Sequence, residues 1–306
     1  MLPSGRQVGL AIGDQRAVVV EVGGGLRTYS VDGAELVDGY AADAMCSAGR
    51  GQVLIPWPNR LEDGAYEFDG HASQLSLSEP GKRNAIHGLV RWSSWNVAED
   101  GPGRAVAEHV LYPQPGYPYT LALRIEYSLS EDGLRVETTA TNAGIEPCPY
   151  GAGQHPYLTV GTAIDGVVLR VPARTVIRSD ERSLPLAAEP VDGTELDFRA
   201  PRPIGATVLD HAFTDLERDA DGLARIVFGN LTLWCDAAYA YVMVFSGDGT
   251  PDVARQSLAV EPMTCPANAF RTGEGLIRLE PGESFTSVWG IAPWENPHAR
   301  SAGAPM

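Results

Sequence analysis

The segment SLAVEPMTCPANAF (257–270) places a carboxylate, Glu261, directly after the apolar residues of a strand-like pattern. Burying an unpaired carboxylate costs several kcal/mol, so a hydrophobic core does not favour this position. Pro262 and Pro266 restrict the backbone that follows. A carboxylate held rigidly at a strand end can exchange a proton with a bound molecule, which makes Glu261 a candidate general base. An ion-paired glutamate with a structural role is the alternative.

Two histidines lie in segments that suit binding or proton transfer. His87 is in NAIHGLVRW, and His155 is in YGAGQHPYLTV. Glycines beside or near each ring allow close approach of backbone or ligand, and Pro156 fixes the chain after His155. Taken alone, each histidine is more often structural than functional, and its setting is what favours a functional role.

The segment LIPWPNRLEDGAYEFDG contains a polar pair, Asn59 and Arg60, just before a turn and a new strand. An arginine at this place either braces a loop or presents a planar set of donors to sugar hydroxyls or to a carboxylate. The sequence does not decide between these two roles.

The composition excludes several classes of function. The chain has 306 residues, is 44% hydrophobic and carries a formal net charge of −16, which argues against nucleic-acid or anionic-membrane partners. No apolar run approaches the ~20 residues that span a bilayer, and the first residues show no export signal, so we expect a cytoplasmic protein. The four cysteines form no CxxC and no zinc spacing, which predicts free buried thiols.

The elements that must position these residues are predicted to be β-strands. RIEYSLSEDGLRVETTATN alternates around Asp132-Gly133 as a hairpin does, and three similar hairpins are predicted around Asp32-Gly33, Gly229-Asn230 and Pro281-Gly282. No window keeps a helical period for three turns. We therefore predict an all-β chain of packed antiparallel sheets, forming a single domain over 1–306 with a loose tail at about 295–306.

Five motifs in order resemble one family. They are WPNRLEDGAYEFDG, IHGLVRW, GQHPYL, LDHAFTDL and AVEPMTCPANAF. Together they resemble the aldose 1-epimerases (galactose mutarotases), and the EPMTCP form is similar to the bacterial branch. The resemblance covers roughly residues 15 to 292. It implies a large antiparallel β supersandwich, and an enzyme that interconverts the α and β anomers of free hexoses such as galactose or glucose without metal or cofactor.

The resemblance also implies roles for two of the candidates. Opening a hemiacetal ring needs a base at the C1 hydroxyl and an acid at the ring oxygen, O5. By similarity, Glu261 is the base at O1 and His155 is the acid at O5. A nearby carboxylate favours protonated His155, whereas burial disfavours it, and the assignment needs the first effect to prevail near neutral pH.

Four further residues match substrate-binding positions of the family. His87 resembles the second family histidine, which holds the sugar near O5, and Asn59 with Arg60 matches the family pair that contacts sugar hydroxyls. Asp210, in LDHAF, matches an aspartate that accepts hydrogen bonds from hydroxyls. The expected partner is a small sugar, and the expected assembly is a monomer or a homodimer.

Three alternatives remain at this point. A hexose-6-phosphate 1-epimerase would add cationic phosphate contacts, for which Arg91 and Arg174 are possible donors. A non-catalytic sugar-binding module would keep the fold without the reaction. Finally, His87, His155 and Glu261 could form a two-histidine-one-carboxylate metal site.

Overall fold

The computed structural model of the chain describes residues 1–293, so the predicted tail at about 295–306 lies outside the described residues. Within 1–293 the chain forms strands almost throughout, with one α-helix, α1 (Ala269–Thr272), and two single-turn 3-10 helices, Pro80–Lys82 and Ile164–Gly166. In chain order the strands are β1 (Gln7–Ile12), β2 (Gln15–Val20), β3 (Leu26–Val31), β4 (Ala34–Glu35), β5 (Val53–Leu54), β6 (Arg60–Glu62), β7 (Ala65–Phe68), β8 (His71–Gln74), β9 (Asn84–Ile86), β10 (Asn96–Glu99), β11 (Arg104–Leu111), β12 (Leu121–Ser130), β13 (Gly133–Asn142), β14 (Cys148–Tyr150), β15 (Gly153–Gln154), β16 (Tyr157–Leu158), β17 (Val168–Arg170), β18 (Ala173–Ser179), β19 (Pro185–Pro190), β20 (Arg202–Pro203), β21 (Asp210–Leu216), β22 (Ala224–Phe228), β23 (Leu231–Cys235), β24 (Tyr241–Phe245), β25 (Leu258–Met263), β26 (Ile277–Leu279) and β27 (Ser284–Pro293).

Two large antiparallel sheets organise these strands. One has nine strands in the order β10-β11-β12-β13-β27-β23-β22-β17-β20. The other has eight, in the order β19-β18-β21-β24-β25-β15-β5, with β16 also paired to β25. Buried residues of both sheets, such as Val136 and Trp289 of the first and Val242 and Val260 of the second, belong to one hydrophobic cluster. This is the predicted all-β supersandwich.

Smaller sheets surround the two large ones. The first four strands form a meander, β1-β2-β3-β4, and the pairs β6-β9, β7-β8 and β14-β26 each form a two-stranded sheet. Of these, the β6-β9 pair matters most for the site, because it carries Arg60 opposite Ile86 and so brings the segment around residue 59 beside the segment around residue 87.

Three of the four predicted hairpins are confirmed. Strands β12 and β13 pair from Leu121↔Asn142 to Ser130↔Gly133, and β22 pairs with β23 up to Phe228↔Leu231. Strands β3 and β4 close with Val31↔Ala34. Along β12 and β13 the side chains alternate in and out of the core with the period of two that the sequence displays.

The predicted hairpin around Pro281-Gly282 is wrong. Strand β26 pairs with β14, whereas β27 lies between β13 and β23 in the nine-stranded sheet. The Gly282 N–H donates to Asn142 O at 2.8 Å, which ties the turn to the end of β13. The alternation correctly predicts two strands, but the turn passes the chain from one sheet to another because each strand has a better partner elsewhere.

The structure also tests the predictions of free thiols and of no membrane-spanning segment. All four cysteines are buried and free. Among residues 1–293 no helix has the length and apolar character that a membrane crossing requires.

Candidate active site

The eight-stranded sheet places Glu261 and His155 side by side. Glu261 lies on β25, opposite Met243 of β24, and His155 follows β15, the neighbour of β25 on its other side. Both side chains are buried, with 3% and 5% of their surface exposed. The Nε2 atom of His155 is 3.4 Å from Oε1 of Glu261. Glu261 lies within β25 and not at its end as the sequence suggested, since Pro262 and Met263 continue the pairing with β24. Two groups that could each carry a proton therefore face each other beside this strand.

His87 joins this pair from the β6-β9 side. Its ring lies edge-on to that of His155, with centroids 5.3 Å apart and planes at 73°. The backbone N–H of His87 donates to the backbone carbonyl of Asn59 at 2.8 Å. Both residues have a left-handed backbone, with φ of 61° for His87 and 54° for Asn59. Such a conformation is uncommon outside glycine and is typical of sites where the surrounding structure imposes it.

Position 88, directly after His87, accepts only glycine because of its backbone conformation and its close contact with Ile55. Its φ is +68°, and a Cβ built there would lie 2.0 Å from Ile55 O. The backbone of residue 88 therefore packs directly on the segment that follows β5 and precedes Asn59.

Arg60 and Asp210 complete the set of predicted residues. Arg60 donates from Nε and Nη2 to the two carboxylate oxygens of Glu79, at 2.8 and 2.9 Å. Asp210 begins β21 and pairs with Phe245 of β24, the strand next to β25. All six predicted residues, including Asn59 and His87, line one cleft.

This cleft has a volume of about 560 Å³. Besides the six, its lining includes Glu79, Lys82, Tyr157, Val208, Phe245 and the segment 248–250. Sequence reasoning missed Glu79 and Lys82, because SEPGKRN carries no pattern that distinguishes a cleft from a surface turn. Among the aromatic residues in or near the five motifs, Tyr157 lines the cleft, whereas Trp57 and Trp95 are buried in the core and Trp92 is exposed elsewhere.

Three buried polar atoms in the cleft have no hydrogen-bond partner among residues 1–293. They are Nδ1 of His87, Nδ1 of His155 and Oε2 of Glu261. Buried polar groups are nearly always hydrogen-bonded in folded proteins, so unpaired ones that belong to residues lining a cleft are available to a polar ligand. Their clustering in one cleft makes it the candidate site.

Burial sets the protonation of the pair. It raises the pKa of Glu261 to about 8, with a further rise from the charge of Asp210 and a partial offset from Arg60. Burial also lowers the pKa of His155 to about 3, and the positive charge of Arg91 acts in the same direction. Without a ligand, the two groups therefore share one proton over the neutral range. The attraction of Glu261 that was expected to keep His155 protonated does not prevail over burial here.

The geometry gives little support to the metal-site alternative or to the hexose-6-phosphate alternative. No three His, Cys, Asp or Glu side chains within the described range are grouped as metal ligands would be. Arg91 does not line the cleft, and the exposed Arg174 is paired with Glu217 at 2.9 Å. Lys82 does line it, but three carboxylates besides Glu261 share that lining, namely Glu79, Asp210 and Asp248.

Comparison with known proteins gives a consistent result. The chain is 38% identical over 296 residues to the uncharacterized protein YihR of Escherichia coli, covering 94% of each protein, and 26% identical over 168 residues to human galactose mutarotase, covering 52% of this chain and 48% of that one. The fold matches a GalM/aldose epimerase homologue from C. elegans (TM-score 0.82, 18% identity, 95% and 99% coverage) and galactose 1-epimerase from Lactobacillus acidophilus (TM-score 0.78, 20% identity, 94% and 95% coverage). The family model for aldose 1-epimerase matches residues 7–291. The chain belongs to the aldose 1-epimerase family.

Proposed function

We propose that this protein is an aldose 1-epimerase that interconverts the α and β anomers of free hexoses such as galactose or glucose. The observation that supports it most directly is the pairing of His155 Nε2 with Glu261 Oε1, 3.4 Å apart and buried, in a cleft with unpaired polar atoms. Anomer exchange needs one group that takes a proton from O1 and one that gives a proton to O5.

The reaction balances with the single proton that the pair holds. Glu261 takes the proton of the C1 hydroxyl, the C1–O5 bond breaks as C1=O1 forms, and His155 gives its proton to O5. Rotation about C1–C2 presents the other face of the aldehyde. Ring closure then returns one proton to His155 and one to O1, so the pair ends as it began.

Sugar binding can place the shared proton where this assignment needs it. The proposed roles need the shared proton on His155 and a charged Glu261. Hydrogen bonds from sugar hydroxyls to Glu261 Oε2, which has no partner, would favour the carboxylate. The charge of Arg60 already lowers the pKa of Glu261. Binding and proton placement are thereby coupled.

The remaining predicted residues are proposed to hold the sugar. Arg60 has five N–H groups, of which Glu79 engages those on two nitrogens, so donors remain for hydroxyl or ring oxygens. Asp210 can accept from hydroxyl groups, and Asn59 and His87 face the same space. These interactions exist in ground state and transition state alike, so they act mainly on KM.

Polarimetry tests the proposal. Fresh α-D-glucose and α-D-galactose approach anomeric equilibrium slowly in buffer, and the wild type should accelerate this approach. Glu261→Gln removes the base with little change in size and should abolish most of the acceleration. Glu99→Gln, an exposed glutamate on β10, is the matched control and should behave as wild type.

The outcomes separate the alternatives. If the wild type accelerates mutarotation of glucose 6-phosphate but of no free sugar, the hexose-6-phosphate alternative replaces the proposal. If it binds sugars and accelerates none, the protein is a sugar-binding module. If Glu261→Gln keeps full activity, the role of Glu261 is wrong.

A further inference from the structure

The imidazole of His155 is enclosed by three residues besides Glu261. A Cβ built on Gly49 would lie 2.9 Å from Cδ2 and 3.0 Å from Nε2 of His155, so the backbone of residue 49 lies directly against this edge of the ring. The Tyr157 ring stacks on the imidazole, with centroids 5.2 Å apart and planes at 18°. His87 closes a further side edge-on. The ring has little space in which to turn.

The backbone of His155 is attached to the same segment as its ring. We call residues 46–52 the Gly49 loop. His155 N–H donates to Gln52 O at 3.1 Å, and Gly51 N–H donates to His155 O at 2.8 Å. The Tyr157 hydroxyl donates to Ala48 O at 3.1 Å. The loop therefore contacts His155 through the main chain, through the ring edge and through the stacked tyrosine.

The Gly49 loop is itself anchored by a buried cation. Arg50, only 8% exposed, donates to Ser47 Oγ and to Asp252 O, each at 2.8 Å, and lies 3.4 Å from Asp38. The Arg50 guanidinium also lies 5.8 Å from the centre of the Tyr157 ring. Through Asp252 and Asp38 the loop is therefore held by contacts that do not involve His155. A segment that positions another residue needs such independent support.

We propose that the Gly49 loop and Tyr157 hold the His155 imidazole in place, and that Gly49 and Tyr157 are positioning residues for proton transfer at Nε2. This inference rests on the proposed function. Its physical basis is that Nε2 is the atom that faces both Glu261 and Gly49. Moving the ring away from Gly49 would therefore change the Nε2–Oε1 distance.

Gly49→Ala tests the contact, and Gly70→Ala is its matched control. Both glycines have left-handed backbones, with φ of +79° and +77°, so a new methyl strains each backbone alike. At Gly70, in the turn between β7 and β8, nothing lies within 4 Å of the added Cβ, whereas at Gly49 the methyl meets His155. Only the first substitution should disturb the ring.

We expect Gly49→Ala to lower kcat by roughly 10- to 100-fold, because small displacements of a catalytic group are costly. KM should change by less than about threefold, because the sugar-binding groups stay in place. Gly70→Ala should leave both constants near wild type. Equal kcat values for the two variants, or a defect in KM alone, would overturn the inference.

Tyr157 offers a second, independent test. Tyr157→Phe removes the bond to Ala48 and keeps the stacked ring, whereas Tyr157→Leu removes both. The loss of kcat should be larger for leucine than for phenylalanine, and KM should change little for phenylalanine, which keeps the ring that lines the cleft. Identical losses in the two variants would contradict a holding role for the ring. This series also decides the matter if Gly49→Ala fails to fold.

A readout that does not depend on turnover separates this inference from the proposed function. Crystal structures of wild type and Gly49→Ala should differ in the His155 Nε2–Glu261 Oε1 distance by several tenths of an ångström. An unchanged distance would refute the holding role even if activity fell. Conversely, a wild type inactive on every aldose would refute the proposed function, while the displacement would still establish what positions His155.

Discussion

Arg60 is held by Glu79 through two hydrogen bonds, at 2.8 and 2.9 Å, with both side chains in the cleft wall. The charge of the same guanidinium partly offsets the rise that burial causes in the pKa of Glu261. Glu79 therefore positions a cation that acts on the carboxylate proposed as the base. The sequence does not disclose this partner, because Glu79 lies 19 residues from Arg60 in a turn of ordinary composition.

Glu79→Gln should weaken sugar binding more than turnover. The amide keeps one good acceptor for Arg60 and loses the second charged contact, so the guanidinium is less well oriented. We expect KM to rise by roughly three- to tenfold and kcat to stay within about twofold. Glu108→Gln, which breaks the exposed pair with Arg124, is the control and should change neither constant. A fall in kcat with constant KM would contradict the binding role.

The pH dependence of kcat/KM should follow the shared proton. With the pKa of His155 lowered to about 3 and that of Glu261 raised to about 8, the pair holds one proton between these values. Activity should be flat across the neutral range, fall as pH rises through about 8 and fall again only in strong acid. Initial rates by polarimetry, corrected for buffer catalysis and limited to pH values where the fold persists, test this. An acid limb near the ordinary histidine pKa of about 6.5 would contradict it.

Glu261→Gln should stabilise the protein, increasingly so as pH rises. The folded pKa of about 8 lies above the ordinary value of 4.5, so folding opposes ionisation of this group. The wild type therefore loses stability as pH rises from the ordinary value through the folded one, and glutamine, which does not ionise, avoids that loss. For a chain of 306 residues, Tm changes by roughly 2 °C for each kcal/mol.

Scanning calorimetry at about pH 5 and about pH 8.5 checks the sign of this effect. The Tm difference between Glu261→Gln and wild type should be clearly larger at the higher pH. Glu99→Gln, on the exposed part of β10, should show no such trend. A difference that shrinks as pH rises would mean that Glu261 is stabilised as a carboxylate in the folded state.

Sequence reasoning predicts most where chemistry and pattern are local. Alternation predicts the β12–β13 hairpin, and the six residues that the motifs single out all line the cleft. The sequence does not predict which strands pair, or which side chains touch, when the partners are far apart in the chain. The turn at Pro281-Gly282 resembles a hairpin, yet pairing with β13 and β14 prevails. Gly49 is likewise one of several glycines in sequence, and only the fold shows that its missing side chain leaves room for His155.

Asp210→Asn should change both binding and the pH profile. Asp210 lines the cleft, and its charge raises the pKa of Glu261. Removing that charge lowers the pKa of Glu261, so the fall in kcat/KM on the alkaline side should move to lower pH. KM should rise, by about tenfold, because asparagine accepts hydroxyl hydrogen bonds less strongly than a carboxylate.

Asp215→Asn is the matched control for this variant. Asp215 lies on the same strand, is exposed and is absent from the cleft lining, so neither KM nor the alkaline limb should change. The two effects of Asp210→Asn are measured separately. KM is determined at one pH, whereas the alkaline fall is determined from kcat/KM over a series of pH values. A raised KM with an unmoved limb would mean that Asp210 binds the sugar without acting on Glu261. A limb shifted to higher pH would show that Asp210 favours the carboxylate, opposite to the direction its charge predicts.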